Sequence, residues 1–234
     1  DRRQRQMCIR DRDYMYCNTE PVGSFQNLLI VADGMGGHRA GDYASRLCVE
    51  TMVQSLEKSA HKTPVSLFEE AVTAANKAVF EESASHVEYE GMGTTVVACT
   101  LEENTLYIAN IGDSRLYLIR DGIEQITDDH SLVEEMVKQG NITESEARIH
   151  PQKNIITRAL GINEEVQADF FEIDVEQGDV IMLCSDGLSN MIEDEDMEYI
   201  VKNSDTLQTA AESLVARANE NGGNDNITVV LAEV

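Results

Sequence analysis

Basic residues are scarce in this chain of 234 residues: 18 Lys and Arg stand against 43 Asp and Glu, a formal charge of −25. That balance excludes a general nucleic-acid binder, whose phosphate-facing surface needs Lys and Arg, and it disfavours an anionic membrane surface as partner. No apolar run approaches the roughly 18 residues that span a bilayer, and no signal-peptide core opens the chain. The five cysteines (Cys8, Cys17, Cys48, Cys99, Cys184) form no CxxC pair, and Cys99 and Cys184 lie in apolar, strand-like runs, so they read as reduced, structural thiols. Internal repeats and low-complexity segments are also lacking. These absences leave a cytoplasmic protein, or a soluble piece of something longer, with nothing that demands more than a monomer. Its 42% hydrophobic content suffices for one sizeable core.

The first twelve residues, DRRQRQMCIRDR, carry a charge of +3 and leave −28 on the remaining 222. This abrupt shift sets 1–12 apart as an atypical basic stretch, not to be forced into structure. From Leu28, LLIVADG reads as a buried strand, followed by helical periodicity over 40–59 and again over 65–83. TTVVACTL, TLYIANIG and RLYLIR then predict a β-meander closed at Asp121-Gly122. Residues 131–165 are polar and uneven and read as an inserted flap at about 130–161. Strands over 168–175 and 179–185, helices over 194–202 and 206–219, and a closing strand NITVVLAEV complete one α+β domain over 13–234.

Four segments share one layout, in which an apolar run carries an aspartate at its end beside glycine or asparagine. They are IVADGMGGH (Asp33), IANIGDSRLY (Asp113), IMLCSDGLSN (Asp186) and GGNDNITVV (Asp225). One Asp-Gly is the commonest turn signal, but four at strand ends are harder to dismiss. Carboxylates gathered at one sheet edge repel each other unless a cation stands between them. Hard oxygen donors suit Mg²⁺ or Mn²⁺, and the lack of a Cys/His cluster argues against zinc.

These motifs, with Gly91-Met92-Gly93-Thr94-Thr95 and Arg158-Ala159-Leu160-Gly161, resemble in order those of the bacterial type 2C (PPM) metal-dependent serine/threonine protein phosphatases over roughly residues 13–234. The resemblance implies a four-layer αββα sandwich, two antiparallel sheets flanked by helix pairs, with a dinuclear Mn²⁺ or Mg²⁺ centre at one end. Asp33 would bridge both cations, Gly34 would lend a carbonyl to one, and Asp186 and Asp225 would complete the other. Asp113, with Asp186, is similar to the pair that holds a weaker third cation in bacterial relatives, and Asp13 matches the aspartate that binds metal-bound water. The reaction implied is hydrolysis of phosphoserine and phosphothreonine by a water activated between the two cations, on phosphorylated proteins that a Ser/Thr kinase supplies.

His38 is the best-placed general acid by sequence, since an imidazole titrates near neutrality; a solvent-facing loop role is the alternative, because Met35 stands where other branches of the family carry histidine. His130, in Asp128-Asp129-His130-Ser131, reads as a flap-entrance residue with a structural or surface role. Relatives carry a phosphate-gripping arginine where Cys8 stands, and Arg10 or Arg12 is the nearest substitute. Three other readings compete: a catalytically dead relative that binds a phosphoprotein or senses a ligand, a phosphatase of a small phosphomonoester or of an anti-anti-sigma-type phosphoserine protein, and a metal nuclease. Retention of all four aspartates weighs against the first, and the missing basic surface against the last.

Overall fold

The computed structural model describes residues 3–9, 12–60 and 63–234; for 3–9 and His38 it describes the main chain alone. Eleven strands and seven helices are described, together with a 3-10 turn over Val87–Tyr89. Strands β1 (Arg3–Ile9), β11 (Ile227–Glu233), β10 (Val180–Cys184), β7 (Arg115–Ile119) and β8 (Ile123–Gln125) lie in that order in one antiparallel sheet. The second sheet runs β2 (Asp13–Asn18), β3 (Leu28–Met35), β5 (Val96–Glu102), β6 (Thr105–Ile111) and β9 (Asp169–Asp174), with the short β4 (Gly93–Thr94) on the end of β3. Every recorded pairing between named strands is antiparallel.

Strand β3 explains the layering. Its alternate residues part company: Leu29 and Val31 face the other sheet, meeting Leu116, Leu183 and Val230, whereas Leu28, Ile30 and Ala32 face the helices. A strand buried on both faces needs an unbroken apolar run, which is what LLIVA supplies. Helix α1 (His38–Lys58) answers with Ala40, Ala44, Cys48, Met52 and Leu56, a stripe at every fourth residue, and α2 (Pro64–Ser85) with Leu67, Phe68, Ala71, Val72, Ala75 and Val79. On the far side α6 (Asp194–Lys202) and α7 (Leu207–Glu220) close over Tyr117, Met182, Val229 and Leu231. The result is the expected four layers, helices, sheet, sheet, helices.

Two features depart from the sequence reading. The predicted meander is broken: β5 and β6 pair, but β6 and β7 belong to different sheets. The crossing happens at Gly112, whose φ of +103 turns the chain where a Cβ would strike Thr95 at 2.6 Å. The second departure concerns residues 3–9, set apart by composition, which form β1 in register with β11, Cys8 opposite Thr228. The flap contains two short helices, α3 (Leu132–Lys138) and α4 (Glu144–Arg148), and its base is closed by a bridge between Ser131 and Ile156. Among the described residues no helix is long and apolar enough to cross a membrane.

Candidate metal centre

All five aspartates singled out from the sequence arrive at one end of the sandwich. Asp13 opens β2 directly opposite Asp33 near the end of β3. Asp113 follows β6, Asp186 follows β10 at the first position of the short α5 (Asp186–Ser189), and Asp225 precedes β11. The first three belong to one sheet and the last two to the other. A hydroxyl spans the seam: Ser185 Oγ donates to Asp13 Oδ2 at 2.7 Å, and Thr228 N–H donates to Ser185 Oγ at 3.0 Å.

Asp33 sits at the middle of this cluster. Its carboxyl is raised well above the ordinary range, first by burial and then by Asp13, Asp186, Asp225 and Asp113. Burial also lifts Asp13 to about 6, against the hydroxyls of Thr228 and Ser185 that pull it down, and lifts Asp113 to about 8 with help from Asp186 and Asp129. Asp186 is raised by burial and by Asp225. Asp13, Asp186, Asp225 and Asp113 thus all disfavour a charge on Asp33 that burial already penalises. The main chain of Asp33 is held rigid meanwhile. Its N–H donates to Thr95 Oγ1 at 3.0 Å, and its carbonyl accepts from Thr95 N–H at 2.9 Å and from Thr94 Oγ1 at 2.9 Å.

The donor set fits a hard divalent cation. Asp186 Oδ1 is buried with no hydrogen-bond partner among the described residues, although Oδ2 accepts from Asn190 at 3.0 Å. Such an acceptor costs free energy unless a cation or water meets it. Gly34 packs so closely on the first turn of α1 that a Cβ would lie 1.9 Å from the Gly41 carbonyl; in return, a Cβ at Gly41 would come within 2.6 Å of Gly34 O. Among the described residues no three His, Cys, Asp or Glu side chains cage an ion alone, so main-chain carbonyls and water complete any coordination sphere. Arg12 turns toward Asp225, to which its guanidinium donates, and toward Asn226 Oδ1 at 3.0 Å. Arg10 and the side chains of Cys8 and His38 lie outside the described residues.

Sequence reasoning missed Ser185, Thr95, Thr228 and Gly41 as parts of this site. It also left His130 open to a surface role, whereas the ring is buried, at 4% exposure. Beside Asp113 and Asp186 opens a cleft of about 560 Å³ between the flap and α5–α6, lined by Arg115, Asp129, Glu134, Arg148, Asn190 and Asp194 among others.

The protein phosphatase 2C family model matches residues 9–232. The chain belongs to the protein phosphatase 2C family. It is 40% identical over 226 residues to the serine/threonine phosphatase stp of Listeria monocytogenes, covering 92% of this chain and 90% of that protein. Protein phosphatase PhpP of Streptococcus pneumoniae is 40% identical over 228 residues, 96% of this chain and 92% of its own. Among solved structures, the Mycobacterium tuberculosis serine/threonine phosphatase PstP/Ppp superposes with a TM-score of 0.89 at 34% identity, covering 100% of this chain and 98% of that one. A structure of the catalytic domain of PstP in complex with two manganese ions superposes with a TM-score of 0.86 at 33% identity, covering 99% and 97%. This phosphatase is therefore a metal-dependent protein serine/threonine phosphatase of the bacterial branch, and its substrates are phosphoproteins.

Proposed function

We propose that this phosphatase hydrolyses phosphoserine and phosphothreonine at a dinuclear Mn²⁺ or Mg²⁺ centre built on Asp33, with residues 13–234 as the catalytic unit. The observation that carries the reading is the convergence of Asp13, Asp113, Asp186 and Asp225 on Asp33, each raising its carboxyl pKa. When bound, the two cations supply Lewis acidity toward phosphoryl oxygens and lower the pKa of the water between them. Asp33, the Gly34 carbonyl, Asp186 and Asp225 would hold the two cations, and Asp113 with Asp186 would hold a weaker third. Asp13, fixed by Ser185, would accept a hydrogen bond from water and orient it. His38, at the start of α1, is the candidate to protonate the leaving alkoxide.

No side-chain nucleophile is required. Cys48 and Cys184 are buried, with thiols pushed by burial to about 12, which removes thiolate as an attacking group at neutral pH. The same reading takes the enzyme as a cytoplasmic monomer acting on the products of a Ser/Thr kinase. The test is turnover of p-nitrophenyl phosphate and a phosphothreonine peptide with and without Mn²⁺. Both are expected to cease under chelation and return with Mn²⁺; hydrolysis that persists after exhaustive chelation overturns the reading.

A further inference from the structure

We propose that His130 is a positioning residue for Asp113: its imidazole holds the Gly112 N–H at the turn that delivers this aspartate to the cation cluster, and through Asp169 and Arg158 the same ring ties the flap exit to that turn. This rests on the reading of Asp113 as a ligand of the third cation. Gly112 is gripped at two points. Its N–H donates to His130 Nδ1 at 3.0 Å, and its carbonyl accepts from the His130 main-chain N–H at 2.9 Å. A peptide N–H can only donate, so Nδ1 carries a lone pair and the ring proton sits on Nε2. Nε2–H in turn donates to Asp169 Oδ2 at 3.0 Å, and the other oxygen of Asp169 accepts from Arg158 at 2.7 Å. The His130 carbonyl takes the N–H of Thr157 at 2.7 Å. One buried ring thus joins the crossover between the two sheets, strand β9 and the last residues of the flap.

The need for a clamp follows from what Gly112 is. With φ at +103 and Thr95 where a side chain would go, the position is restricted to glycine, the residue with the softest main chain. Asp113 hangs directly from that soft link, and neither hydrogen bond of Gly112 is made within its own turn. The restraint therefore comes from outside the loop, and His130 supplies both of its hydrogen bonds. Burial lowers the His130 pKa, which keeps the neutral form the clamp requires.

Two conservative substitutions divide the ring's duties. In His130→Asn the amide oxygen replaces Nδ1 and still accepts from Gly112; in His130→Gln the amide reaches Asp169 and abandons Gly112. The measurements are hydrogen exchange at the Gly112 amide, calorimetric titration with Mn²⁺, and phosphopeptide turnover against Mn²⁺ concentration, with Asp113→Asn as reference. His130→Gln and His130→Ala are expected to keep the tight cations, speed Gly112 exchange, and raise the Mn²⁺ needed for half-maximal turnover about tenfold or more, the usual effect of losing a partner that orients a ligand. His130→Asn is expected to stay near wild type on all three, which a merely space-filling role for the ring would not produce. Should His130→Ala fail to fold, the Asn and Gln pair carries the test alone. If Asp113→Asn raises the Mn²⁺ requirement and His130→Gln does not, the clamp is overturned and the cation role of Asp113 stands. If Asp113→Asn itself leaves that requirement unchanged, the ligand reading falls and takes the proposal with it.

Discussion

Exposure separates the carboxylates of one cluster, and their substitutions follow suit. Asp33 has four like-charged neighbours, so Asp33→Asn is expected to empty or distort the centre and abolish turnover, a rise of several kcal/mol in the barrier. The Asp225 side chain is 40% exposed and already shared with Arg12, so Asp225→Asn is expected to weaken one cation and leave a trace of activity that excess Mn²⁺ restores. Mn²⁺ stoichiometry by calorimetry, paired with turnover, checks both; near-normal activity in Asp33→Asn refutes the mechanism. Alkylation of the thiols at neutral pH is expected to leave turnover intact, because burial pushes Cys17, Cys48 and Cys184 up to about 12. Asp33, Asp113, Asp186 and Asp225 were legible in the sequence because each borders an apolar run beside Gly or Asn, a local pattern, whereas Asp13 came only from the family resemblance. Ser185 was not. Its service to Asp13 depends on a strand 172 positions away, and a serine among turn residues carries no mark of what will stand opposite it.

Elements were readable where one face is periodic and local. Helix α6 spans Asp194–Lys202, as its pattern predicts, and α7 begins after Thr206, whose side chain accepts from the Thr209 N–H. The β6-to-β7 crossing was hidden because a hairpin and a change of sheet both need a glycine turn between apolar runs, and only the partner strands distinguish them. The three-residue β8 and four-residue α5 are too short to show a period at all. At this scale Asn76, buried in α2, is the fastening of the flap exit: its Oδ1 accepts from Gly161 N–H at 2.8 Å, and its Nδ2 donates to the carbonyls of Asn163 and Glu164 at 3.0 and 2.9 Å. Asn76→Ala is expected to cost about 1–3 kcal/mol by stranding those groups. Asn76→Asp should cost more, since a carboxylate would face two carbonyls; urea midpoints measure both. Exchanging residues 131–156 for another flap, by contrast, is expected to change peptide preference more than p-nitrophenyl phosphate turnover, and equal losses on both substrates would make the segment purely structural.

Across the whole molecule, the raised carboxylates tie stability to pH with a definite sign. Asp13 and Asp113 bind protons more tightly folded than unfolded, so the stability they contribute is fully present below the ordinary value of 3.8. It is lost as pH rises through about 6 for the first and about 8 for the second. Asp179, held below the usual range by Arg120, acts on the acid side of that window. Chelated protein is expected to melt at progressively lower temperature from about pH 4 to pH 8. Mn²⁺ should reverse the trend, adding about 2.7 kcal/mol at a hundredfold excess over its Kd, and more at higher pH as fewer protons must leave. Thermal melts with and without chelator at several pH values check this, and a chelated Tm that climbs across the window overturns it.

Strand β11, the last in the chain, lies between β1 and β10 in the interior of its sheet, with Asp225 just ahead of it. A growing polypeptide therefore carries Asp13, Asp33, Asp113 and Asp186 out of the ribosome well before the strand that completes their enclosure has been made. Pairing across such sequence distances is slow. Until β11 docks, the helices α6 and α7 have only the β7 and β10 part of their sheet to cover, and the cation cluster lacks its fifth carboxylate. Chains that lack β11 are therefore expected to show no phosphatase activity, and in refolding experiments catalytic power should emerge with the final phase of structure and never ahead of it.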